Sequence, residues 1–368
     1  MDSVELAGGQ LGAVLTAPRG GMAPLAPGGP WLATTPALVK EVLTDPERFD
    51  FPGDVSRGSD LSGSRGETRT GHTLYSPVPA AAVSRGSDVF GSEWRTALAE
   101  HEHVRADEPY DAMQLLRRPV ARSTTSAVLP HLDTATRDAV GDLVLDWIDA
   151  LAPVIASHRP PRRWTRIRRA ETAARVALED FLASVRGLEQ TPQQVATMLA
   201  AGIQVPIAAG AFLLAWSGAH RDEPDADPVH VVWETLRLTS PSWITARVTT
   251  RRVEIGGATI PAGRVVFASP LLLGRFPELV PGDPSEIASF DPTRWQTHEQ
   301  RPGAWLPFGA GPHMCPGRNL GIAQLTTVAQ WASAFEISLS EHVSIDQSRG
   351  IAPSPCRFTV TPRRSSSP

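Results

Sequence analysis

Lysine, tyrosine and cysteine are nearly missing from this chain of 368 residues, which has two cysteines, two tyrosines and Lys40 as its lone lysine. The arginines that stand in for lysine read as a composition bias without mechanistic content. Two cysteines, Cys315 and Cys356, cannot build the disulfide framework of a small secreted domain. Each reads first as a small buried apolar residue. Excess positive charge is also absent: the formal net charge is −4, which argues against nucleic acid as a partner. No basic-then-apolar leader opens the sequence, so secretion is not expected. No uninterrupted apolar run is long enough to span a membrane. The most apolar run, Ala200 to Trp216, contains Gln204 and Pro206 and reads as a buried helix of a soluble, cytoplasmic protein with no membrane partner.

What is present is enough apolar sequence, 41% of residues, to bury a large core. Residues 1–30 are rich in glycine, proline and alanine and read as irregular. Pro36 to Phe49 has Leu38, Val42 and Leu43 at helical spacing, with a stop near Asp45-Pro46. The polar composition of residues 50–92 predicts a long loop. VSRGSD occurs twice there, at 55–60 and 83–88, too little for a repeat architecture. Helices are expected over Asp107–Leu129, Thr134–Leu151, Ala170–Val185 and from Thr191-Pro192 to Trp216. After Ser240 the pattern changes. Residues 247–268 alternate around Gly256-Gly257 and Pro261-Ala262-Gly263, as short antiparallel strands do. A last helix is expected from about Arg318 to Phe335, followed by strands between Ile337 and Pro362. The reading is a mainly α protein with a small β subdomain, one unit over residues 1–363, and a disordered tail at 364–368.

Cys315 stands out because it lies in PFGAGPHMCPGRNLG, a glycine and proline turn directly before the last helix. Unpaired N–H groups and the helix dipole favour an anion there and lower a thiol pKa. Gly309, Gly311 and Gly317 let the backbone bend toward sulfur, and Phe308 could shield it. A shielded thiolate suits an electron-rich metal ligand, such as one for haem iron.

Phe308, Gly311, His313, Cys315 and Gly317 resemble the haem-ligand signature of the cytochrome P450 family. Glu234 and Arg237 in WETLRL, the segment Phe290–Arg294, IGGATIPAG and GGPWLATTPALVKEVLTDPERF resemble further elements of that family in the same order. RRPVAR at 117–122 resembles its propionate-contacting helix. The resemblance spans most of the chain and implies a bacterial soluble member acting in secondary metabolism. It implies the P450 fold, haem b (iron protoporphyrin IX), Cys315 as iron ligand, and Phe308, Gly309, His313 and Gly317 around it. Glu234, Arg237 and Arg294 would be a structural network. Arg117, Arg247 and His313 are the candidate propionate partners, although Met113 stands where the family often has a histidine paired with the Arg117 position. A hydrophobic small-molecule substrate and a ferredoxin/ferredoxin reductase pair are the implied partners.

The resemblance breaks in the long apolar helix. Where the family carries an acid–threonine pair for proton delivery, this chain has Gly202, Gln204, Val205 and Pro206. Glutamine cannot readily supply a proton and valine can neither donate nor accept. Pro206 removes the hydrogen bond to the Gly202 carbonyl and kinks a helix, leaving that carbonyl free to hold a water. The chain is also short between the propionate-contacting helix and the distal helix. The arginines of residues 159–169 fall near that abbreviated roof and could be solvated surface, a site for an acidic redox partner, or a site for an anionic substrate group. Three functions follow: oxidation by an atypical proton route, a redox-neutral isomerisation or cyclisation such as that of an isoprenoid diphosphate, or non-catalytic haem or ligand binding.

Overall fold

The structure, a computed structural model, describes residues 1–51, 74–105, 108–157, 161–220, 226–296, 302–348 and 350–363. The expected tail and the first VSRGSD copy lie outside those residues. The N-terminal part contains α1 (Gly9–Leu15), β1 (Met22–Pro24), β2 (Trp31–Ala33), α2 (Pro36–Thr44) and β3 (Phe49–Asp50). The helical part follows as α3 (Ala80–Arg105), β4 (Tyr110–Asp111), α4 (Ala112–Val128), α5 (Thr134–Ile155), α6 (Arg166–Ser184), α7 (Pro192–Ala219) and α8 (Pro228–Leu238). Then come β5 (Thr245–Thr249), β6 (Val253–Ile255), β7 (Ala258–Ile260), β8 (Val265–Ala268), α9 (Pro270–Leu273), α10 (Arg318–Ser333), β9 (Phe335–Leu339), β10 (Ser344–Asp346), β11 (Ala352–Ser354) and β12 (Arg357–Pro362). The fold is mostly helical with small sheets.

Two strips of sequence collect the sheets. One has the order β1-β2-β8-β5-β3, and the other β4-β12-β9. The first brings the N-terminal strands beside β8 and β5, with Arg247 opposite Val266 in the β5–β8 register. The second fixes where α4 begins. Residues 110–111 pair with β12, so the helix starts at Ala112 with Asp111 accepting from the Gln114 N–H, five residues later than the spacing predicts.

Two other expectations are corrected. The polar segment expected to be a loop through residue 92 becomes helix from Ala80, because Phe90, Trp94 and Leu98 recur every four residues and are all buried. The second VSRGSD copy lies in this helix, where the Ser87 hydroxyl turns back onto the Val83 carbonyl. Residues 1–30 are not wholly irregular, since α1 buries Leu11 and Val14.

Helix α7 organises the rest. A capping box of Thr191 and Gln194, followed by Pro192, starts it. It packs against α4, α5, α6, α8 and α10. Among the described residues it is the one helix long and apolar enough to cross a membrane, but 67% of its most apolar window is buried, which is what a core helix shows. Only α5 and α6 stand between α4 and α7 among the described residues. Toward α4 the helix presents Gly202, Pro206 and Gly210 at successive turns. A Cβ at Gly210 would lie 2.8 Å from Leu116 and one at Gly202 3.2 Å from Thr124, so small residues set the close approach of these two helices.

Candidate functional site

The turn before α10 is held by its own backbone. The Cys315 N–H donates to the Phe308 carbonyl at 2.9 Å, and the Pro316 carbonyl accepts from Val78. Gly309 and Gly311 have φ of 70° and 71°. At Gly311 a side chain is excluded twice over, because a Cβ would lie 2.6 Å from the Leu43 carbonyl oxygen at the end of α2. Gly317 caps α10 without a side chain, which leaves its N–H free to bond the Cys315 sulfur. Phe308 is half-buried and meets Trp233 edge to face at 6.2 Å.

The thiol itself corrects one sequence argument. Burial pushes the Cys315 thiol above its ordinary pKa, opposed by the Gly317 N–H and the Arg318 cation. The helix terminus is present, but desolvation outweighs it, so the unligated group is a thiol. A coordinated metal would remove that proton. The other cysteine, Cys356, is buried against the Ala211 carbonyl and pushed up to about 12 by desolvation.

Beside this turn stands a stack of three side chains. The Phe51 ring lies 5.0 Å from the His313 ring, and the Arg247 guanidinium lies over Phe51 at 4.7 Å. Arg247 is 3% exposed. Its hydrogen-bond partners among the described residues are neutral: the Thr245 hydroxyl at 3.3 Å and the Ala246 carbonyl at 2.9 Å. Desolvation holds its pKa down at about 10, with Asp50 only partly opposing the shift. A buried cation with no ion pair among the described residues fits a carboxylate-bearing group such as a porphyrin propionate.

Arg117 does not join that stack. Its two terminal nitrogens donate to the two carboxylate oxygens of Asp149 on α5, at 3.0 and 2.7 Å. Arg118 likewise binds Glu93 and Glu100 of α3, and Arg122 binds Asp138 and Asp142 of α5. The arginines of RRPVAR clamp α4 to its neighbours, so Arg117 already has a carboxylate partner in Asp149.

Glu234 is the centre of a buried network. Arg237 grips both its oxygens, at 2.9 and 2.6 Å, and Arg294 adds a third charged contact at 3.0 Å. The Trp295 indole N–H and the Asp291 backbone N–H also donate to it. The remaining arginine nitrogens bind the carbonyls of Gly274, Ile287, Ser289, Pro281 and Glu286. Glu234 and Arg237 are fully buried. The network pins the irregular chain that leads into the cysteine turn onto α8.

In the middle of α7, burial is interrupted. Ala201 is exposed and Gly202, Gln204, Val205 and Pro206 are partly exposed, while Ile203 and the residues from Ile207 to Trp216 are buried. The Gly202 carbonyl, deprived of its helical donor by Pro206, accepts from the Thr124 hydroxyl of α4 at 3.4 Å. A protein hydroxyl thus takes the role expected of a water. The Gln204 side-chain nitrogen is buried and has no hydrogen-bond partner among the described residues. Ser123 beside Thr124 bonds the Gly86 carbonyl and receives a bond from Gln324 of α10, so α4 ties this strip to the helix that follows Cys315. Thr124 could not be found by motif, because its partner is 78 residues away.

The arginine-rich segment is partly committed. Arg168 pairs with Glu171, and Arg175 pairs with Glu171 and Glu179. Asp227 caps α8 by accepting from Val229. Among the described residues no cluster of His, Cys, Asp or Glu could hold a metal ion.

Comparison with known proteins places these features in context. The profile of the family described as "Cytochrome P450" matches residues 229–352. The chain is 30% identical to the cyclooctat-9-en-7-ol 5-monooxygenase of Streptomyces melanosporofaciens, over 83% of this chain and 79% of that protein. A shorter match, 36% identical over 34% of this chain and 26% of the relative, is to the sterol 14alpha-demethylase of Mycolicibacterium vanbaalenii. Among solved structures, the cytochrome P450DA heme domain superposes with a TM-score of 0.70 at 19% identity, over 94% of this chain and 90% of that one. At that identity the likeness speaks for the fold alone.

Proposed function

The chain belongs to the cytochrome P450 family, and from that premise we propose that it hydroxylates a lipophilic, alcohol-bearing carbon skeleton, taking protons by a route that bypasses an acid–threonine pair. The observation that carries this reading is the shared location of its parts. Helix α7, with its accessible strip, packs against α10, the helix that directly follows Cys315, and Arg247, which forms no ion pair among the described residues, stands beside the same turn.

Haem b, held through Cys315, would supply dioxygen activation and transfer of one oxygen atom to a carbon–hydrogen bond, the other leaving as water. The chain's own residues set the rest. Arg247, with His313 stacked nearby, would neutralise propionate charge where water is excluded. The Gly317 N–H and Arg318 would stabilise negative charge on sulfur. Phe308 and Trp233 would keep the proximal side dry. Val205 can hold no proton. The unpartnered amide nitrogen of Gln204 would instead fix a water or a substrate hydroxyl in the pocket, and the proton would come from that group. The two relatives named above act, by their names, on an alkenol and a sterol, which is why an alcohol-bearing substrate is proposed. Electrons would come from a ferredoxin-type donor through its reductase.

A redox-neutral cyclisation of a diphosphate draws little support from the arginine run, since Arg168 is already ion-paired and Arg162, Arg163, Arg166 and Arg169 are exposed to solvent. One experiment separates the readings. Purified protein is incubated with a lipophilic alkenol, with and without an electron donor and with and without air. Product that needs both is expected; product formed without either overturns the oxidative reading. Haem and ligand binding with no turnover under any condition would leave a binding protein.

A further inference from the structure

The tip of the α5–α6 hairpin has features that the catalytic reading does not use. Residues 161–169 contain five arginines (162, 163, 166, 168 and 169) and no acid, in a chain whose net charge is −4. Arg168 is paired within α6, but Arg162, Arg163, Arg166 and Arg169 are exposed and form no ion pair among the described residues. Large apolar side chains stand among them. Trp164 is 62% exposed, Ile155 at the end of α5 is 52% exposed, and Ile167 in the first turn of α6 also faces solvent. The Arg162 guanidinium lies over the Trp164 ring at 5.3 Å. Because α5 and α6 pack along each other, the end of one and the start of the other lie at the same end of the hairpin.

Exposed tryptophan and isoleucine are unfavourable in water, and unpaired arginines around them are a poor signature of a buried interface to be. Together they match the chemistry of a lipid–water boundary. There an indole sits at headgroup depth, aliphatic side chains enter the acyl edge, and guanidinium groups meet phosphates. We infer that this tip docks the protein peripherally on an anionic membrane surface. This is distinct from spanning, and it replaces the expectation that membranes play no part. Charge complementarity selects the occupant: a neutral bilayer offers nothing to the four unpaired arginines, whereas each arginine near an anionic surface is worth about a fivefold gain in binding. Attachment would bring the protein to where lipophilic molecules accumulate. The inference does not rest on the oxidative reading, and its test needs no turnover.

The full-length, haem-loaded protein is floated with vesicles of phosphatidylcholine alone and of phosphatidylcholine with phosphatidylglycerol, at low and high salt. Binding to the anionic vesicles only, weakened by salt, is expected. The variant Arg163→Gln/Arg166→Gln/Arg169→Gln should bind about a hundredfold more weakly with an unchanged melting midpoint and haem spectrum. Trp164→Ser should lose binding at high salt, where insertion outlasts charge, and brominated lipid should quench fluorescence of the parent protein more than of this variant. No vesicle binding, equal binding to neutral vesicles, or indifference to the arginine variant overturns the inference. So does binding that needs the arginines but ignores Trp164→Ser, which would mark a site for a soluble acidic protein instead.

Discussion

Replacing Arg247 with methionine should move stability in opposite directions with and without haem. Each pKa unit corresponds to about 1.4 kcal/mol. A guanidinium held well below its ordinary value, at about 10, by burial therefore carries a cost on the order of 3 kcal/mol. Methionine of similar reach removes that cost. It also removes the bonds to Thr245 and Ala246 and the contact over Phe51, together about 2 kcal/mol. The haem-free variant should thus gain about 1 kcal/mol, raising its melting midpoint by roughly 2 °C. The sign with pH follows from the direction of the shift. The cost is fully present below about pH 10 and fades as pH rises from there toward the ordinary arginine value, so the gain should be flat through neutral pH and shrink in strong alkali. With haem bound the balance inverts. Truncating one partner of a buried charge pair costs about 2–5 kcal/mol, so haem should transfer to an acceptor globin about a hundredfold faster from the variant. Paired melting curves and haem-transfer traces read both signs. A variant that is less stable without haem and yet retains haem as the parent does would show that Arg247 is a plain structural arginine.

Glu234→Ala would leave Arg237 and Arg294 as buried uncompensated cations, and should cost about 3–5 kcal/mol in guanidinium unfolding; a loss below about 1 kcal/mol contradicts the network's role. Thr124→Val orphans the Gly202 carbonyl and should cost about 1 kcal/mol, which Thr124→Ser recovers; equal melting of all three proteins refutes that hydrogen bond. Gln204→Asp combined with Val205→Thr should raise product formed per electron donor consumed, by restoring an acid and a hydroxyl. Unchanged coupling of donor to product would remove proton delivery as the altered step. Cys315→Ser should abolish the thiolate-type spectrum of the reduced carbon monoxide complex, and persistence of that spectrum would exclude Cys315 as ligand.

Legibility in the sequence depended on range. The cysteine turn and the Glu234–Arg237 pair are local patterns, and their geometry follows from glycine freedom and from helix spacing of three residues. Arg294 was reachable because its segment has its own motif. Helix α3 was hidden because Ser, Gly and Arg dominate its composition, while the aromatic and aliphatic residues every fourth position decide its structure. The Asp149 partner of Arg117 was hidden for a different reason: periodicity gives the buried face of a helix but not which neighbour supplies a carboxylate there. The thiol of Cys315 was misjudged because a helix terminus is visible in sequence and the degree of burial is not. Thr124 lay beyond any pattern, since the proline it compensates is on another helix.

The irregular chain from Gly274 to Asp291 is gripped almost wholly through peptide oxygens, with Arg237 and Arg294 as the fingers. Such a grip is indifferent to what the gripped residues carry outward. Descendants of this chain, or a designer working on it, can rewrite the solvent-facing letters of that stretch and reshape the flank of the molecule. The cradle for the cofactor would be undisturbed so long as the two fingers and their one shared anchor persist.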